Sequence, residues 1–194
     1  ITNDNSGNCI VGTETGIDFI EFQTDNAVKD IRHFGKSEGF TGIETCQNAN
    51  FKDTDGTFWF GTINGLFHYN PANLYRNNHE PITQIRDIKL FYIPLSQTNY
   101  KDKIKPWNKI ENLLLPHDQN HISFDFFAIN FSNPEAVRYQ WKLVGFDENW
   151  SPPSKEHSIV YSNLNPGKYT FLLKASNEDE VWNKQPISFS FEIE

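Results

Sequence analysis

From residue 82 to the C-terminus, apolar and polar side chains alternate with a period of two. Ile122, Phe124 and Phe126 fall on one side of a segment whose other side carries His121, Ser123 and Asp125. Tyr139, Trp141 and Leu143 oppose Arg138, Gln140 and Lys142 in the same way. Tyr169, Phe171, Leu173 and Ala175 repeat the alternation, and Ile187, Phe189, Phe191 and Ile193 do so against Ser188, Ser190, Glu192 and Glu194. Neighbouring side chains of a strand point to opposite faces, so each run reads as a half-buried β-strand. Residues 82–92, 113–115 and 159–161 bring the total to about seven strands with turn signals between them, which predicts an immunoglobulin- or fibronectin-like β-sandwich over residues 81–194. A slip of one residue would turn every one of these apolar groups outward, so Phe124, Phe126, Tyr139, Trp141, Tyr169, Phe171, Phe189 and Phe191 are expected inside. No window of useful length sustains a 3.6-residue period, and helix is expected to be nearly absent.

Residues 1–80 carry a different pattern. Asp4, Gly7, Gly12, Thr13 and Gly16 return as Asp53, Gly56, Gly61, Thr62 and Gly65, a constant offset of 49 positions. In the second copy Asp55-Gly56 marks a tight turn, residues 57–60 a β-branched and aromatic strand, Asn64-Gly65 a second turn, and residues 66–69 the returning strand. Residues 27–34 and 41–51 supply further strands, enough for four per repeat. A period of 40 to 50 residues with this order of turns and strands marks a β-propeller blade, and propellers close with about four to eight blades. The predicted fold is therefore all-β, a partial β-propeller of about two blade repeats followed by the sandwich, with the chain a piece of a larger array. The start at Ile1 and the absence of Met agree with a processed or internal piece.

Composition narrows the functional classes. A net charge of −8 with no basic cluster argues against nucleic-acid binding. No apolar run approaches the roughly 20 residues of a membrane helix, so an anchor is expected outside this chain. Cys9 and Cys46 are too few for a disulfide scaffold, and Cys9, at the position of Phe58 in the second repeat, is expected to be a small buried residue. Two sequons begin at Asn130 and Asn149. No nucleophile elbow, phosphate-binding loop or metalloprotease motif is present, and Pro116 with the Asp118-Gln-Asn120 turn keeps His117 and His121 off one helical face. Asp53, Asp55 and the run Glu178-Asp-Glu180 lack the loop of an EF-hand and read as turn residues. No catalytic residue, cofactor or metal site is assigned.

The series Tyr139-Gln-Trp141, Gly145-Phe-Asp-Glu-Asn-Trp150, Tyr161, Leu164-Asn-Pro-Gly167-Lys-Tyr169 and Trp182 resembles the Y_Y_Y domain of periplasmic sensor regions in Bacteroidetes hybrid two-component histidine kinases. Asp55-Gly-Thr-Phe-Trp59-Phe-Gly61-Thr62 with Gly65-Leu66 is similar to the regulator-propeller motif of the same proteins; the first repeat departs from it at Cys9-Ile10. The resemblance implies a non-catalytic, extracytoplasmic part of a receptor that works as a homodimer and senses a glycan-derived ligand, commonly an oligosaccharide, bound by the full ectodomain. An accessory spacer module of a secreted carbohydrate-active protein is the alternative. Tyr139, Trp141, Tyr161 and Tyr169 are expected to be structural, Tyr169 as a tyrosine corner whose hydroxyl bonds back to the backbone. Ligand-binding residues are not assigned, with Trp107, Trp150 and Trp182 the candidates for stacking on a sugar.

Overall fold

The computed structural model describes residues 1–40, 42, 44–71, 76–105, 109–110 and 113–194, with no side chain described at 37, 102, 104, 105, 109 and 110. The chain divides into two units, Ile1–Arg76 and Asn77–Glu194. Among the described residues there are strands, turns and short 3-10 segments and no α-helix.

In the first unit β1 (Thr2–Asn3), β2 (Cys9–Gly12), β3 (Ile17–Phe22) and β4 (Val28–Phe34) form an antiparallel sheet in chain order. Strands β5 (Thr45–Lys52), β6 (Phe58–Thr62) and β7 (Gly65–Tyr69) form a second. The 49-residue repeat is visible in individual bonds. Asp4 and Asp53 donate their N–H groups to the carbonyls of Asn8 and Thr57 at 2.9 and 2.8 Å, and the Thr13 and Thr62 hydroxyls donate to the carbonyls of Gly16 and Gly65 at 3.1 and 3.0 Å. Gly7 and Gly56 hold φ of 87° and 86°, a left-handed conformation that costs glycine nothing and explains why both turns keep it.

Pairing registers match across the repeat, with Cys9 opposite Ile20 as Phe58 is opposite Tyr69. The buried faces do not match. The first sheet buries Ile10, Ile17 and Phe19, and the second buries Phe58, Phe60 and Tyr69, which stand on the other face of equivalent strands. Together with Phe40 these form one core, so the front of the first sheet lies on the back of the second. Cys9 consequently stands on the uncovered back of the first sheet and is only half-buried, whereas its equivalent Phe58 is fully enclosed. Among the described residues the second sheet has three strands, not four.

The second unit is a sandwich. Strands β8 (Ile82–Leu90), β9 (Ile93–Pro94), β13 (Ile122–Ile129) and β15 (Ser158–Tyr161) make one sheet in the order β15-β13-β8-β9. The other contains β12 (Leu113–Leu115), β14 (Arg138–Val144), β16 (Gly167–Ser176) and β17 (Ile187–Ile193) in the order β12-β17-β16-β14. A small ribbon of β10 (Ile104–Lys105) and β11 (Lys109–Ile110) completes the set. Among the described residues all pairs are antiparallel except β12 with β17, a parallel edge that alternation alone does not reveal. The two sheets share one core, in which Phe124 of β13 lies flat on Phe171 of β16 with ring centroids 4.0 Å apart and planes 3° from parallel. Seven of the eight side chains expected inside are buried. Trp141 faces inward with its ring centroid 5.7 Å from that of Phe126, but is only half-buried because its strand, β14, forms the edge of its sheet.

These differences set the energetics. Phe171→Ala is expected to cost about 3–5 kcal/mol, and Trp141→Ala about half of that, because part of the indole already meets water; urea denaturation of both variants measures the contrast. The Tyr69 hydroxyl is buried in the repeat core with no hydrogen-bond partner among the described residues, and burial pushes its pKa up to about 12. An unpaired buried hydroxyl carries its desolvation cost uncompensated, so Tyr69→Phe should raise stability by about 1 kcal/mol. A fall in the denaturation midpoint would show that the hydroxyl has a partner in solution.

Candidate functional site

Each of the three motif tyrosines buries its ring in the sandwich core and ties its hydroxyl to a different part of the chain. The Tyr139 hydroxyl accepts the Ala128 N–H at 3.0 Å, which joins β14 to β13 across the sheets. The Tyr161 hydroxyl donates to Asp147 Oδ2 at 2.8 Å, and the same oxygen accepts the Leu143 N–H at 2.7 Å, closing the turn after β14. Burial together with the Asp147 carboxylate holds the Tyr161 phenol far above its ordinary pKa. The Tyr169 hydroxyl donates to the Asn165 carbonyl four residues upstream at 2.7 Å, forming the expected corner. The Tyr139 bond ties strand to strand across the core, and those of Tyr161 and Tyr169 position loops at the ends of the sandwich.

The loops carrying Trp150 and Trp182 meet over the outer surface of the β12-β17-β16-β14 sheet. The first is fixed because Ser151 donates its N–H to the Trp141 carbonyl at 2.9 Å and accepts the Trp141 N–H on its hydroxyl at 3.0 Å. The second is fixed by a bridge from Trp182 to Ser176 and by the Asn183 N–H on the Ala175 carbonyl at 2.9 Å. Between the rings lies the ammonium of Lys174, on the outward side of β16, 4.5 Å from the Trp150 centroid and 5.2 Å from that of Trp182. A cation over an indole face gains about 0.5–1 kcal/mol at a partly exposed site. Two of the three sequence candidates are thus brought together, with a cation from the chain itself against them. A sugar stacking on those two faces would have to displace Lys174. Trp107 lies outside the described residues.

A second polar cluster was not legible in the sequence. Asn77 donates its backbone N–H to Asp179 Oδ2 at 2.6 Å and its amide to Glu178 Oε1 at 3.1 Å, and to Asn130 and Ser132 at 3.3 Å each. The Asn177 amide donates to the carbonyls of Asn77 and His79, and Asn183 to that of Pro81 at 2.8 Å. Residues 77–81 are therefore clasped to the loop that follows β16. Asn130 is buried, donating to Glu178 and to the Asn133 carbonyl, so its sequon is closed to glycosylation, whereas Asn149 is exposed. Glu178 and Asp179, expected as solvated turn residues, are half-buried acceptors.

His121 stands at the start of β13, off any helical face with His117. It is half-buried, stacks on Phe91 at 5.3 Å and places Nδ1 3.0 Å from the Ser162 hydroxyl. Both cysteine thiols are free, and no group of three His, Cys, Asp or Glu side chains among the described residues could hold a metal ion.

Comparison with known proteins bears on this geometry. Residues 130–194 match the family model of the Y_Y_Y domain, a span that contains all three tied tyrosines and the Trp150–Lys174–Trp182 cluster. The chain is 28% identical over 169 residues to Histidine kinase P4 of Formosa agariphila, covering 85% of this chain and 12% of that protein. It is similar along its whole length to the crystal structure of the extracellular domain of the hybrid two component system BT3049 of B. thetaiotaomicron, with a TM-score of 0.73, 25% identity and 25% of that chain covered. The extracellular domain of BT4673 from the same organism shares the fold at a TM-score of 0.51 and 21% identity, with 96% of this chain and 24% of that one covered. The chain thus spans about an eighth of the curated relative and about a quarter of these solved neighbours and resembles the sensor portions of two-component histidine kinases.

The clasp should register acid. Burial raises the pKa of Glu178, but hydrogen bonds from its own N–H and from Asn130, Asn77 and Ser132 outweigh burial and hold it below the ordinary glutamate value of 4.5. A depressed folded-state pKa contributes stability that is complete above the unfolded value and is lost as pH falls through the folded one. Glu178→Gln is therefore expected to lower the melting temperature at pH 7, and the gap from the parent chain should narrow as the pH falls below 4.5. A gap constant across that range would place the carboxylate outside the clasp in solution.

Proposed function

We propose that this chain is a non-catalytic segment of the extracytoplasmic sensor region of a two-component histidine kinase, in which propeller repeats contribute to a ligand surface and the sandwich passes the bound state on toward the membrane. The observation that carries the reading is the whole-chain likeness to the extracellular domain of BT3049, beside the match of residues 130–194 to the Y_Y_Y domain. The uncovered faces of the two repeat sheets support a larger propeller, since stacked repeats bury their apolar faces only against neighbours. A glycan-derived ligand is the class we assign to the intact ectodomain. No helix among the described residues is long and apolar enough to cross a membrane, so the anchor is assigned to a part of the protein outside them.

Two copies side by side above the membrane would let a change in their spacing reach the kinase. In the intact receptor, cysteines engineered near Glu194 should cross-link to a different extent with and without an oligosaccharide ligand; indifference to ligand would remove the relay role. Calorimetric titration against a glycan panel should show binding by the full ectodomain and little by these 194 residues, because concave sites are assembled from several elements. Tight binding by this chain alone would move the site to the sandwich, with Lys174, Trp150 and Trp182 the first positions to change.

A further inference from the structure

The strands of the sandwich share one end near Glu194. There β8 stops at Leu90 opposite Ile122, β15 stops at Tyr161 opposite the same residue, and β17 stops at Ile193 opposite Gly167. Glu194 donates its N–H to the Leu115 carbonyl at 2.9 Å. Phe91, Tyr92 and Ile93 of the hairpin joining β8 to β9, and Phe146 in the turn after β14, are all exposed at this end, Tyr92 by 70% and Phe146 by 56%.

The hairpin is built against local preference. Leu90 pairs with Ile93 around a two-residue loop in which Phe91 and Tyr92 hold φ of 46° and 68°. A loop with both φ positive calls for Asn-Gly, because a bulky side chain crowds its own backbone in the left-handed region. Two aromatic residues stand there instead, packed against His121 at 5.3 and 4.8 Å between centroids. The fold thus accepts backbone strain and keeps two rings at the tip, a combination that marks sites of function. Phe146 meets the Tyr161 ring at 5.7 Å between centroids and is otherwise open to water.

We propose, on the reading that the sandwich faces the membrane on the side of Glu194, that this end rests on the bilayer surface with Phe91, Tyr92, Ile93 and Phe146 seated among the lipid headgroups. Aromatic rings favour that layer, which is apolar on one side and wet on the other. The hairpin follows β8 and Phe146 packs beside β15, on either side of β13 in the sheet order, so a broad apolar layer reaches both tips where a single pocket would reach one. A second copy of the chain fits less well. At about 150–250 Å² for a whole ring, these part-exposed groups offer on the order of 400 Å², about half of what each partner brings to a stable protein interface. Asp118, Lys168 and Glu194 are exposed at the same end, a mixture of signs, so the attachment is apolar and needs no anionic lipid.

Tethering this chain by a C-terminal hexahistidine tag to nickel-chelating lipid in phosphatidylcholine vesicles supplies the orientation that the reading assumes. Failure in that setting removes the lipid contact and leaves the relay standing, which fails instead if cross-linking near Glu194 ignores the ligand. Bromine on the acyl chains quenches an indole held at the boundary of headgroups and hydrocarbon. The fluorescence added by Tyr92→Trp is expected to fall about two-fold or more in brominated vesicles, since interfacial side chains bury to that depth. The fluorescence added by Phe131→Trp, at a residue 88% exposed just beyond the far end of β13, is expected to stay unchanged. Equal quenching at both positions, or none at residue 92, would overturn the proposal. The double variant Phe91→Asn with Tyr92→Gly should melt no lower than the parent chain, because it supplies the residues this turn prefers. A lower melting temperature would show that the rings serve the fold itself, and dimerisation without lipid that this variant abolishes would assign the end to a second copy; either result would overturn the proposal too.

Discussion

The sandwich depends on a single aromatic contact across its middle. Phe124 and Phe171 lie flat on one another, one from each sheet, and Phe189, Phe191, Phe126 and Tyr161 arrange their rings around that pair. A large ring buries more apolar area than any aliphatic side chain, and fixing two of them face to face sets both the separation of the sheets and the register in which they meet. Strand alternation then decides everything that lies one residue away. The tyrosines fall on the inner side of their strands, so each can bury its ring and still bond a strand or a loop through its hydroxyl. The outward side of β16 receives Lys174, and the loops held by the Ser151 bonds and by the Ser176 bridge with the Asn183 bond bring Trp150 and Trp182 over it.

A different constraint governs the repeat unit. Two copies of one sheet, equal in register and related by stacking front to back, must bury opposite faces, because one front can cover only one back. The interface pairs a front of Ile10, Ile17 and Phe19 with an aromatic back of Phe58, Phe60 and Tyr69. The faces left over follow the same alternation: the back of the first sheet offers Cys9, Val11 and Ile20, and the front of the second offers Phe51, Trp59 and Leu66.

The polar clasp connects sequence economy to this arrangement. Asn77, Asn130 and Asn177 are buried, and each uses its amide to hold backbone or carboxylate groups that would otherwise be left unpaired. Their combined effect is to end the repeat pattern and begin the sandwich within a few residues. Asparagine suits this task because it donates and accepts from one rigid planar group, where a charged residue would need a counter-ion.

Local periodicity in the sequence was enough to establish the all-β character, the 49-residue repeat and the inward side of nearly every sandwich strand, because a strand's alternation and a turn's glycine are properties of neighbouring residues. Leu164-Asn-Pro-Gly167-Lys-Tyr169 likewise announced its corner, since the tyrosine and the carbonyl it bonds are four positions apart. Contacts between distant residues were beyond that reach. The cation between Trp150 and Trp182, the parallel pairing of β12 with β17, the half-exposure of Trp141 at a sheet edge and the clasp joining residues 77–81 to the loop after β16 each bring together groups far apart along the chain. Which face of a repeat is covered was open for the same reason: an apolar residue on either side of a strand reads alike in one dimension, and only the neighbour that stacks on it decides which side is the core.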